Sequence, residues 1–89
     1  MDEILRELGI DLDGTYDSEG GYVVDLNSSA DFGKVYSKLD KNDDLNFLES
    51  NSLLTTDNAS LIYRYEDEVE ITLLGDFNND KYQLVVNKL

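Results

Sequence analysis

The chain has 89 residues, enough for one small domain and no second. Asp and Glu number 20 against 7 Lys and Arg, giving a net charge of −13 and a pI of about 4.1. His, Cys, Trp and Pro are absent, which excludes a Cys/His zinc site, a disulfide frame, a thiol nucleophile and a Ser-His-Asp triad.

Phosphate contacts are made by Lys and Arg, so this charge argues against direct nucleic-acid binding. Six Tyr and three Phe argue for a folded domain rather than an acidic disordered tail. A chain of this length buries roughly 60–65% of its unfolded surface, so stability should be modest. Like-charge repulsion lowers it further, most of all at low salt. No apolar run approaches the roughly 18 residues that read as a membrane span. Anionic lipid would repel the domain. The opening Met1-Asp2-Glu3-Ile4-Leu5-Arg6 lacks the basic start and apolar centre of a signal peptide. The expectation is a soluble cytoplasmic protein.

Residues 2–8 read as a short helix with Ile4, Leu5 and Leu8 on one side and Gly9 as its stop. Asp2 and Glu3 fall in its first turn, where the helix dipole favours anions. Residues 10–21 read as a loop, within which Thr15 and Tyr16 can pair across Ser18–Gly20 with a strand at Tyr22–Leu26. The strongest helix is 29–39, capped by Ser28 or Ser29, with Asp31 three residues after Ser28. Phe32, Val35, Tyr36 and Leu39 fall on one face of it, and Lys34, Lys38 and Lys41 take the outer face and the C-terminal end. Ser52–Thr56, Ser60–Tyr65, Glu68–Leu74 and Lys81–Lys88 read as strands, joined by turn residues at 57–59 and 76–80. Leu61, Tyr63 and Tyr65, then Val69, Ile71 and Leu73, then Tyr82, Leu84 and Val86 alternate with other residues. Period-two alternation with short connections predicts an α+β fold. Its antiparallel β-meander has about four to five strands, covered by the one amphipathic helix, with a short N-terminal helix beside it.

Three features could carry chemistry. Asp40, Asn42 and Asp44 follow a helix at the spacing that opens an EF-hand loop. The match then fails, because Leu45 stands where the turn needs Gly and Asn51 where it needs Glu. Asp76, Asn78 and Asp80 repeat the spacing in a hairpin loop, and Asp11-Leu12-Asp13-Gly14 brings Gly too early. A calcium module is therefore a minor alternative, and no cofactor is expected. Paired-carboxylate catalysis needs one desolvated acid, whereas these acids sit in turns and on polar faces. That, and the small size, argue against an enzyme.

The third feature is the charge pattern. Residues 42–80 hold ten acids and one base, and residues 1–31 hold nine acids and one base. The positive residues gather at 34–41 and 81–88. Glu66, Glu68 and Glu70 recur at every second residue, with Asp67 between them at the join of two strands. On extended backbone such residues share one face at steps of about 6.6 Å. A carboxylate row of this kind can imitate a phosphate backbone, or can blunt a sheet edge against aggregation. Solubility asks for a net charge of magnitude about 2–8 in a small domain. The excess favours an anionic surface aimed at a cationic partner. Its candidate residues are Glu66, Asp67, Glu68 and Glu70, with Asp43, Asp44 and Glu49 as a second patch. Tyr63 and Tyr65 could add contact area where they do not face the helix.

In size, acidity and α+β layout the chain resembles the small acidic DNA mimics that phages and mobile elements encode, the anti-CRISPR, anti-restriction and uracil-DNA glycosylase inhibitor proteins. The acidic N-terminal helix and Tyr65-Glu66-Asp67-Glu68 resemble segments of anti-CRISPR inhibitors of type II effector nucleases. Leu53-Leu54-Thr55-Thr56-Asp57 and the ending Asn87-Lys88-Leu89 resemble uracil-DNA glycosylase inhibitors. In that second family a Glu-Ser edge strand enters the enzyme's DNA cleft. Glu49-Ser50 is the corresponding pair here, though it follows the second helix rather than preceding it. The resemblance implies a non-enzymatic inhibitor. It would block the nucleic-acid channel of a basic bacterial DNA-processing or defence enzyme, in the host cytoplasm. The alternatives are an immunity or antitoxin-like protein neutralising a basic toxin, the calcium module, and an acidic adaptor domain.

Overall fold

In the computed structural model, which describes residues 2–89, three eight-residue strands form the centre of one sheet. They are β5 (Asn58–Tyr65), β6 (Val69–Asp76) and β7 (Lys81–Lys88). β2 (Tyr22–Leu26) pairs with β7, and β1 (Thr15–Tyr16) pairs with β2 as the outermost strand on that side. β3 (Leu45–Phe47) and β4 (Leu53–Leu54) share the other edge of β5. Every pairing is antiparallel, in the order β1-β2-β7-β6-β5-β3.

The register follows from the alternation. Leu61, Leu73, Leu84 and Val24 are cross-strand neighbours, as are Tyr63, Ile71, Val86 and Tyr22. All eight are buried and point to the same face. A slip of one residue would turn that whole set to solvent, so the pattern holds the register. The opposite face carries Ile62, Thr72, Val85 and Val23 in the middle row, all half-buried.

The apolar face is covered by α2 (Ser29–Asp40), which buries Val35 and Leu39. Ser28 caps it, its Oγ accepting from the Asp31 N–H at 3.3 Å, and Asp31 reaches back to accept from the Asn27 N–H. Such a cap contributes about 1 kcal/mol. α1 (Asp2–Glu7) contributes Leu5 to the core, and Leu8 joins it from the turn that follows. Gly9 has φ +81°, and the bonds Gly9 N–H to Arg6 O and Ile10 N–H to Leu5 O form a Schellman end. Only glycine takes that backbone conformation without strain, so the stop is chemical. Among the described residues no helix is long and apolar enough to cross a membrane.

The expected α+β architecture is the one observed. Among the described residues the sheet has seven strands, more than the four to five the alternation predicts. β1 forms at the Thr15–Tyr16 pairing the sequence offers, whereas β3, three residues on an edge, is too short to show a period of two. Ser52–Thr56 is not one strand. Only Leu53–Leu54 pairs, after a 3₁₀ turn at Glu49–Asn51, and Thr55 Oγ1 then accepts from the Asp57 and Asn58 N–H groups to turn the chain.

Candidate functional site

The β5–β6 hairpin ends in Glu66-Asp67-Glu68, three consecutive exposed acids. Glu66 has φ 54° and Asp67 φ 57°, and the Glu68 N–H donates to Tyr65 O at 3.1 Å. Two left-handed residues in succession are the mark of a type I′ hairpin turn, which normally takes Asn-Gly or Asp-Gly. Here the chain places carboxylates where glycine would be easier. Among the described residues no hydrogen bond or ion pair uses the side chains of these three acids. The twist of the hairpin is therefore satisfied by the backbone, and the three carboxylates project from the end of the sheet.

Other acids converge on this end. Leu45 pairs with Tyr65, so Asp43 and Asp44, just before β3, continue alongside the Glu66–Asp67 turn. Glu7 arrives from α1, its Oε2 accepting the Tyr65 hydroxyl at 3.1 Å. That bond, then burial, then the charges of Glu66, Glu7 and Asp44 raise the Tyr65 phenol above its ordinary value of 10.0. One phenol thus senses three carboxylates from three separate parts of the chain. Lys38 of α2 and Lys41, just past its C-terminal end, border Asp43 and Asp44 in a broad open trough, so the turn acids are the less compensated part of the cluster.

The expected carboxylate row is broken. Glu66 and Glu68 lie in the turn, and only Glu70 lies in β6, so the three do not share a strand face. Glu70 is directly opposite Arg64 and lies 3.7 Å from its guanidinium. That neutralises most of its value as an anionic contact. The expected second patch also divides. Asp43 and Asp44 join the turn, whereas Glu49 sits in the 3₁₀ turn level with Ile62, about 10 Å along the strand at about 3.3 Å per residue. Glu49-Ser50 is accordingly not part of an edge strand. Tyr63 is buried in the core, and Tyr65 is half-buried with its hydroxyl at the anionic end.

Glu7 is the residue that the sequence does not bring forward. Its contact with Tyr65 spans 58 positions, and no local pattern announces it. A second group of acids, Asp57, Asp76 and Asp80, collects at the opposite end of the β5–β6 hairpin. There, Asp76 accepts from the Asn79 backbone N–H and side-chain amide, at 3.3 and 2.8 Å. These bonds, the side-chain one first, hold its carboxyl below the ordinary 3.8. In the EF-hand-like segment, Asn42 Oδ1 accepts from the Asp44 N–H at 2.9 Å, which is turn chemistry. Among the described residues no three or more Asp or Glu come together in a way that could hold a metal ion.

The arrangement can present several unneutralised carboxylates on a hairpin end, close to a phenol. Comparison with protein-family models, with curated proteins and with solved structures finds no match to this chain.

Proposed function

We propose that the protein is a non-enzymatic DNA-mimic inhibitor. It places the Glu66–Glu68 turn, with Asp43, Asp44 and Glu7, in the nucleic-acid channel of a basic DNA-processing or defence enzyme. The observation that carries this reading is the strained turn: two successive acids held at positive φ, whose side chains make no hydrogen bond or ion pair among the described residues. Backbone strain concentrates where a side chain's direction matters to function. The net charge of −13 supplies long-range attraction to a basic cleft and repels nucleic acid itself. Binding would exclude substrate by competition, with fast association and an affinity that falls as salt rises.

The test is capture from bacterial lysate on the immobilised protein, with and without competitor duplex DNA, followed by identification of what is held. Retention of a basic DNA-processing enzyme that competitor DNA displaces supports the reading. A partner held equally with DNA and at high salt overturns it and favours an immunity or adaptor role.

A further inference from the structure

A second surface lies on the β3–β4 edge of the sheet, away from the turn. Tyr36 of α2, Phe47 of β3 and Leu54 of β4 are 39%, 47% and 63% exposed. Together with Tyr63 they line a groove of about 280 Å³, whose lining also includes Asp40 and Glu49. Small-molecule sites run to about 300–1,000 Å³, so this groove suits a single side chain. The Phe47 ring packs against the buried Tyr63 ring, 5.1 Å away at 44°, so Phe47 and Tyr36 supply the exposed aromatic faces of the groove. Among the described residues neither Asp40 nor Glu49 has a basic partner at ion-pair distance.

Aromatic faces and unpaired carboxylates in one groove meet the two demands of a guanidinium: a flat surface to stack on and anions to pair with. An arginine's aliphatic stem would lie along Leu54. We infer that this groove receives an arginine side chain of the basic partner, as an anchor separate from the anionic turn. The inference deepens the mimic reading, which calls for an arginine-bearing partner. The Tyr63 phenol is raised to about 12, first by burial and then by Tyr36 and Asp40. A second copy of this chain is a poor occupant, because each copy carries −13.

The test needs no partner. The full chain is titrated with N-acetyl-arginine methylamide and followed by NMR at the Tyr36 and Phe47 rings and the Leu54 methyls. The neutral citrulline and the lysine analogues serve as controls. The expected result is a saturable shift of the groove signals with the arginine amide, and a markedly smaller one with each control. Phe47→Leu should weaken binding about 2- to 5-fold, the range of one exposed cation–π contact. Asp40→Asn, at an exposed helix end outside the core, should weaken it independently of any repacking. Equal shifts from citrulline or lysine, shifts confined to the Glu66–Glu68 turn, or a concentration-dependent dimer filling the groove would overturn the proposal. The Glu66→Lys, Asp67→Lys, Glu68→Lys triple variant should retain the groove response, so failure of the groove and failure of the mimic turn are read separately.

Discussion

The two hairpin turns that flank β6 are both acidic and differ in what their acidic side chains do. In the β6–β7 turn the acid serves the loop. Asp76 accepts two bonds from Asn79, and Phe77 tucks against Phe32 and Tyr82 at ring distances of 5.6 and 6.0 Å. In the β5–β6 turn no side chain of Glu66, Asp67 or Glu68 forms a hydrogen bond or ion pair among the described residues, and two successive acids take positive φ, where the β6–β7 turn has one, Asp80 at φ 53°. Acidic residues with structural work to do are poor evidence for function. Acidic residues held at a cost, with no such work, are better evidence.

Substitutions in the two turns test that difference. The largest effect is expected at the structural turn. Phe77 is partly buried, so Phe77→Ala should cost about 1–3 kcal/mol, below the roughly 3–5 of a fully buried Phe. Urea unfolding measures it. Asp76→Ala should lower the melting temperature at neutral pH. Because the folded carboxyl ionises below its unfolded value of 3.8, its stabilisation is present above that value and lost as pH falls through the folded one. The wild-type and variant melting curves should therefore converge in acid, which thermal circular dichroism over a pH series would show. The smallest effect, of opposite sign, is expected at the other turn. Glu66→Asn with Asp67→Gly should raise stability by about 0.5–1 kcal/mol, by supplying the residues a type I′ turn prefers. If that pair destabilises instead, the turn is not strained and the contrast is lost.

Much of the fold is legible in the sequence because periodicity dictates it. Tyr22–Leu26 and Lys81–Lys88 form with the bounds that their alternation predicts, and Gly9 stops α1 as its chemistry requires. β3 is hidden because three residues on an edge carry no readable period. The candidate site is legible only in part. The acids at 66–68 stand out by composition, but alternating glutamates on paper resemble a strand face, and no Asn-Gly marks the turn that separates them. The Glu70–Arg64 pairing depends on register, and the approach of Glu7 to Tyr65 depends on where α1 docks. Neither is a local property. The same holds for the aromatic groove, whose walls come from α2, β3, β4 and β5.

These positions choose the decisive variant. Reversing Glu70 would set a lysine against Arg64 across the sheet and would confuse folding with binding. Reversing Glu66, Asp67 and Glu68 touches only exposed side chains with no partner among the described residues. The most direct measurement is side-by-side capture from bacterial lysate by the wild type and by Glu66→Lys, Asp67→Lys, Glu68→Lys, each challenged with competitor duplex DNA and confirmed as folded by melting. The account predicts that the wild type holds a basic DNA-processing enzyme which DNA displaces, and that the folded triple variant does not hold it. A folded variant that captures the same enzyme as strongly as the wild type would contradict the claim that this turn stands in for nucleic acid.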